Sequence, residues 1–122
     1  MNCSSRHKLV FGFCVHGPYR HAMELIRQNN IRWIPWSYHA KYLTDDLIRS
    51  LQNGLSLTGK EVLFACMAIG RGKEAHAIRE GIVDYWSFSG NTLCVTVFLG
   101  DLIDKRFRPP SNEHLCFYLP RS

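Results

Sequence analysis

The chain lacks any apolar run long enough to cross a membrane. The longest, Val62 to Ile69, is eight residues, against the roughly 18 to 20 that a helical span requires. It also lacks a Cys-x-x-Cys pair, and its five cysteines, Cys3, Cys14, Cys66, Cys94 and Cys116, fall at irregular intervals. An odd set cannot close into a disulfide framework, so the sequence reads as a protein of a reducing, cytoplasmic compartment, that of the host cell if it is viral. Arg6 and Lys8 precede the apolar stretch Leu9 to Val15, but this stretch is short and runs into His16-Gly17-Pro18 without a small-residue cleavage site. A secretory signal is therefore not expected. No repeat, low-complexity tract or linker divides the sequence, so residues 1–122 are expected to form a single domain. Nor is there an excess of acid: 15 Lys plus Arg stand against 10 Asp plus Glu, a formal charge of +5. This balance excludes mimicry of nucleic acid by an acidic surface and favours contact with polyanions or acidic proteins.

Catalytic templates are missing too. There is no His-Glu-x-x-His, Gly-x-Ser-x-Gly, His-x-Thr or acidic metal cluster. Glu61, Glu80 and Asp84 are candidate carboxylates for a nuclease-like site but lack a lysine two residues after an acid. Asp45-Asp46 is explained by helix capping.

What is present is 46% hydrophobic and 12% aromatic residues, enough to offset the ordering entropy of one globular domain. Leu9, Phe11, Phe13 and Val15 alternate with other residues at the strand period of two. Gly17-Pro18 starts a helix in which Tyr19, Ala22, Met23 and Ile26 share a face, and Asn29-Asn30 ends it. Residues 31–36 read as a short extended segment, stopped by Pro35 or left at a sheet edge. Thr44 with Asp45 and Asp46 is a strong helix start, Leu47, Ile48 and Leu51 form its buried stripe, and Asn53-Gly54 is a left-handed stop. The run 62–69 has no polar alternation and suggests a central strand covered on both faces. Residues 82–88 and 92–99 form a hairpin around Ser89-Gly90-Asn91. Residues 101–113 read as a polar surface connection, and 114–119 as a last alternating strand. The expected fold is α+β, with a mixed or mainly antiparallel sheet of five or six strands and two to three helices. Its core is expected at Phe11, Phe13, Ile26, Leu47, Leu51, Val62, Phe64, Val95, Val97 and Phe117. Turn and strand spacing between Gly59 and Leu93 is of the kind found in small β-barrels.

Three constellations could carry chemistry. Cys14 and His16 would share a strand face, as would His114 and Cys116, both opposite the apolar set; pairing of the first and last strands would bring two thiols and two imidazoles together. This is a weak candidate zinc set, since structural zinc sites usually space paired ligands more widely. The expectation is that these side chains lie apart, with no metal and no cofactor. Gly70-Arg71-Gly72-Lys73, ahead of Glu74 to Arg79, offers glycines and cations at what reads as a helix start and would favour phosphate, or is simply a basic turn. The segment Trp33 to Tyr42 interleaves aromatics with cations. Either Trp33, Trp36 and Tyr38 stack on unpaired bases, or at least one tryptophan closes the core.

The favoured functional expectation is a small, non-catalytic basic module that binds nucleic acid, single-stranded or structured RNA above a specific duplex. The candidate contacts are Arg27, Arg32, Trp33, Trp36, Tyr38, Lys41, Arg71, Lys73, Lys105, Arg106 and Arg108. The alternative is an accessory or inhibitor protein, for example of viral or mobile-element type, docking on an acidic partner protein through the same residues. A small enzyme with a Cys/His or carboxylate site stands third.

Overall fold

The computed structural model describes residues 7–14, 19–67, 74–109 and 113–120. Alternation through Leu9, Phe11 and Phe13 produces strand β1 (His7–Cys14), and the helical stripe produces α1 (Tyr19–Arg27), which buries Ile26 and packs Met23 against the core. Strand β2 (Trp33–His39) runs further than expected and lies at a sheet edge, where Pro35 is tolerated because one side needs no ladder donor. After a 3-10 turn (Ala40–Tyr42), Thr44 caps α2 (Asp45–Gln52), its Oγ1 accepting from the Leu47 N–H at 3.4 Å. Asp45 and Asp46 occupy the first turn, and Gly54, at φ 99°, ends the helix.

Strand β3 (Glu61–Met67) is followed by the long hairpin β4 (Ala75–Ser89) and β5 (Thr92–Phe107), joined at Gly90-Asn91, and by β6 (Cys116–Pro120). Two expectations are corrected here. Residues 75–79 open β4 rather than a helix, because Ala75, His76, Ala77 and Arg79 each find a cross-strand partner on β5, and all but Ala75 also on β3. Residues 101–107 belong to β5 rather than to a surface connection, for the same reason. The Gly70 to Lys73 segment lies outside the described residues.

The strands form a six-stranded mixed sheet in the order β2-β5-β4-β3-β1-β6, with β1 and β3 parallel and the other pairs antiparallel. With the two α-helices among the described residues this is the expected α+β fold. The sheet curls until its ends meet. Leu43, just after β2, forms a parallel bridge with Cys116 of β6, and the Leu115 N–H donates to the Tyr42 carbonyl at 2.8 Å. The result is a partly closed barrel.

All ten expected core residues are buried, none more than 7% exposed. They divide between two clusters on opposite faces of β3. Val62 and Phe64 join the main core with Phe11, Phe13, Ile26, Leu47 and Val97, whereas Leu63, Ala65 and Met67 join Val10, Phe107 and Phe117. The central strand is thus covered on both sides, as its unbroken apolar run implied.

The sequence assigned no role to Arg79, yet this is the one charged side chain in the interior among the described residues, at 3% exposure. Its guanidinium donates to the carbonyls of Ile26 and Ile31 at 3.0 Å, of Gly100 at 2.9 Å, and of Gln28. Helix ends leave carbonyls without intrahelical donors; Arg79 supplies donors to the end of α1 and the chain beyond it. Burial pushes its pKa down, but an arginine starts so high that it stays charged.

Candidate functional site

The segment between β2 and α2 borders an aromatic-lined recess. Phe13 of β1 packs edge-on against Trp36 of β2, with ring centroids 6.0 Å apart, and Trp36 packs in the same manner on Phe64 at 6.0 Å and Tyr38 at 6.4 Å. Such tilted contacts let the ring edges meet neighbouring faces favourably. Beside them opens a pocket of about 250 Å³ walled by Phe13, Trp36, Tyr38, His39 and Tyr42, with Gly12, Ser37 and Leu115 completing it. This is below the ~300–1,000 Å³ of drug-sized ligand sites and suits a single planar ring system.

Charge and hydrogen-bonding groups sit at its rim. Lys41 Nζ lies 5.0 Å from the centre of the Tyr42 ring, within cation–π range. The Lys41 N–H donates to His39 Nδ1 at 3.1 Å, so the proton of the neutral imidazole resides on Nε2, leaving a donor on an exposed side chain. The Gly12 N–H donates to the Leu115 carbonyl at 2.7 Å, and the Gly12 carbonyl accepts from Tyr38. A side chain at Gly12 would meet Met67 Cγ at 2.7 Å and the Leu115 oxygen at 2.9 Å, so the close approach of these backbones requires glycine. Trp36 Nε1 and His114 Nδ1 are enclosed without a hydrogen-bond partner among the described residues.

A second recess, of about 270 Å³, lies where α1 ends above β4 and β5, lined by Arg27, His76, Ile78, Leu102, Ile103 and Asp104. His76 Nε2 and Asp104 Oδ1 are 2.5 Å apart. The sheet registers place Phe13, Cys66, His76 and Arg106 in one row across β1, β3, β4 and β5. Three strand spacings separate the pocket wall from Arg106, about 14 Å.

The ladder sets Cys66 opposite His76, and His76 in turn meets Asp104, a sequence of neighbours that no sequence spacing announced. Burial pushes the Cys66 thiol up, with Arg27 partly opposing it, and an un-ionised thiol is a poor nucleophile. The geometry supplies no activated pair.

Of the residues picked out by sequence, Arg27, Arg32, Lys41, Lys105, Arg106 and Arg108 are all exposed. They do not form one patch: Arg106 pairs with His76, while Lys105 pairs with Ala77 and points to the other face. Arg71, Lys73 and His16 lie outside the described residues. Trp33 is half-exposed, Trp36 is partly buried in the core, and Tyr38 is 5% exposed, with its hydroxyl engaged. Tyr38 therefore is no open stacking surface, and Tyr42, not among the sequence-stated contacts, takes a place in the pocket wall. The common face imagined for the zinc set is also corrected. Cys116 faces the main core beside Phe11, whereas Cys14 lies on the side of β1 opposite Phe13. The described residues hold no group of three or more potential metal ligands.

No helix among the described residues is long and apolar enough to cross a membrane. No protein-family model, curated protein or solved structure matches the chain.

Proposed function

We propose that this protein binds single-stranded or structured RNA, holding one unpaired base in the pocket beside Trp36 and Tyr42. The observation that carries this reading is a small aromatic-walled pocket with the Lys41 ammonium beside it. Aromatic walls accept the face of any base, and a cation next to them neutralises the adjoining phosphate. Arg27 and Arg106, on the same side of the sheet as Phe13, would take further backbone phosphates, a span suited to the low end of single-strand sites, ~4 nucleotides. Lys105, Arg108 and Arg32 would add non-specific attraction.

Anisotropy of short labelled RNA and DNA oligomers, titrated at several salt concentrations, tests the reading. Affinity should fall steeply with salt, Tyr42→Ala should weaken binding by about 10-fold or more, and Lys41→Ala should reduce the salt slope by about one. Absence of binding at low salt would reject the proposal and favour docking on an acidic protein.

A further inference from the structure

Strand β2 has a ladder on one side only, with β5, and its register fixes which backbone groups that ladder uses. Pairing runs without a shift from Trp33 opposite Phe98 to His39 opposite Thr92. Just beyond the two ends, the Leu99 N–H donates to the Arg32 carbonyl at 2.9 Å and the Ala40 N–H donates to the Asn91 carbonyl at 2.7 Å. Antiparallel pairs alternate between bonded and unbonded. The even-numbered residues of β2 therefore turn their backbone groups to β5, and Trp33, Pro35, Ser37 and His39 turn theirs the other way. Neither the Ser37 N–H nor its carbonyl is hydrogen-bonded to another described residue.

The pocket lies against this free edge. Its wall takes Trp36 and Tyr38, which pack into the core, together with Ser37 and His39, which are exposed on the opposite face of β2, and it takes nothing from β5. A recess that meets both faces of one strand abuts that strand's edge. Across the gap stand Gly12 and Leu115, whose backbone groups are already engaged: the Gly12 N–H with the Leu115 carbonyl, the Gly12 carbonyl with the Tyr38 hydroxyl, and the Leu115 N–H with the Tyr42 carbonyl. Ser37 offers the entering ring a donor and an acceptor side by side.

We propose that the Ser37 N–H and carbonyl bind the base-pairing edge of the nucleotide held in the pocket, so that only an unpaired base is admitted. In a sheet, the N–H and C=O of one such residue are answered together by an acceptor and a donor of the next strand. A nucleobase edge carries the same complement on adjacent atoms. In uracil a ring carbonyl accepts from the N–H while N3–H donates to the Ser37 carbonyl. Every base has a neighbouring donor and acceptor on this edge, so the contact selects an open edge rather than one base. In a duplex the partner strand occupies that edge. Such pairing presupposes RNA binding at this pocket and narrows the target to unpaired segments.

Anisotropy of three labelled oligouridines of equal length, unmodified, N3-methylated and C5-methylated, is the test on the unaltered protein. A methyl on N3 removes the donor and blocks the edge, whereas one on C5 adds the same bulk away from it. N3 methylation should weaken binding about tenfold or more, and C5 methylation should change it little. Ser37→Pro removes the N–H at an edge position of the same kind as Pro35, where the ladder needs no donor. With unchanged circular dichroism, it should weaken binding of the unmodified oligomer and narrow its advantage over the N3-methylated one. Equal affinity for the unmodified and N3-methylated oligomers overturns the pairing and leaves RNA binding standing, as does a folded Ser37→Pro that binds both like the unaltered protein. Failure to bind any of the three overturns both.

Discussion

The Tyr38 hydroxyl donates to the Gly12 carbonyl across 2.9 Å in the interior, joining β2 to β1, which are not ladder partners. This bond helps hold the curled sheet closed beside the pocket. Tyr38→Phe removes the donor and leaves a buried carbonyl without it, for an expected loss of about 1–2 kcal/mol in urea unfolding with little change in slope. RNA affinity should fall less than for Tyr42→Ala, because the ring remains in place.

Arg79 is expected to be among the most sensitive positions in the chain. Arg79→Ala removes donors from the carbonyls of Ile26, Gln28, Ile31 and Gly100 together, and should cost roughly 3 kcal/mol or more. Arg79→Lys should recover little of this, since a compact ammonium cannot reproduce the planar fork of donors. Thermal and urea unfolding of both variants check the ordering.

Gly12→Ala adds one methyl where there is no room. The Met67 side chain can yield, but the Leu115 carbonyl oxygen belongs to the backbone that closes the barrel. The expected cost is about 1–3 kcal/mol. Hydrogen exchange should show faster opening at Gly12 and Leu115 than in the β4-β5 hairpin.

Alkaline pH should destabilise the protein through Cys116. Its thiol is completely buried, and desolvation raises its pKa well above the ordinary value. Above roughly pH 8.5 the unfolded chain releases this proton while the folded chain keeps it. The contribution is therefore complete below that pH and is lost as pH rises through the window up to the folded pKa, at up to about 1.4 kcal/mol per unit. Tyr118, also raised by burial and then by Cys116, acts in the same direction at higher pH. Stability measured between pH 8 and 10 should decline, and Cys116→Val should flatten much of the decline.

Local and periodic signals survived folding. Thr44, Asp45 and Asp46 start α2 because a cap and a first-turn carboxylate act within one turn of chain. The hairpin turn and the two-sided burial of β3 were likewise readable, the first from Gly90-Asn91 and the second from an apolar run without alternation. The start of β4 was not readable. Glu74 to Arg79 is compatible with a helix by itself, and becomes a strand because Cys66 on one side and Arg106 on the other complete its ladder.

By itself, the sequence determined the elements whose causes lie within a few residues: caps, turns, face periodicity, and therefore most of the core and the α+β class. Only the tertiary structure decided which side of the sheet each residue joins. Cys116 enters the main core because its register with Phe11 says so, and a shift of one residue would reverse it. The pocket has the same origin, since Gly12 and Phe13, the stretch from Trp36 to Tyr42, and Leu115 meet only when the curled sheet brings β1, β2 and β6 together. Arg79, too, finds carbonyl partners about fifty positions earlier in the chain. Such contacts depend on closure of long loops, which no local pattern of residues encodes.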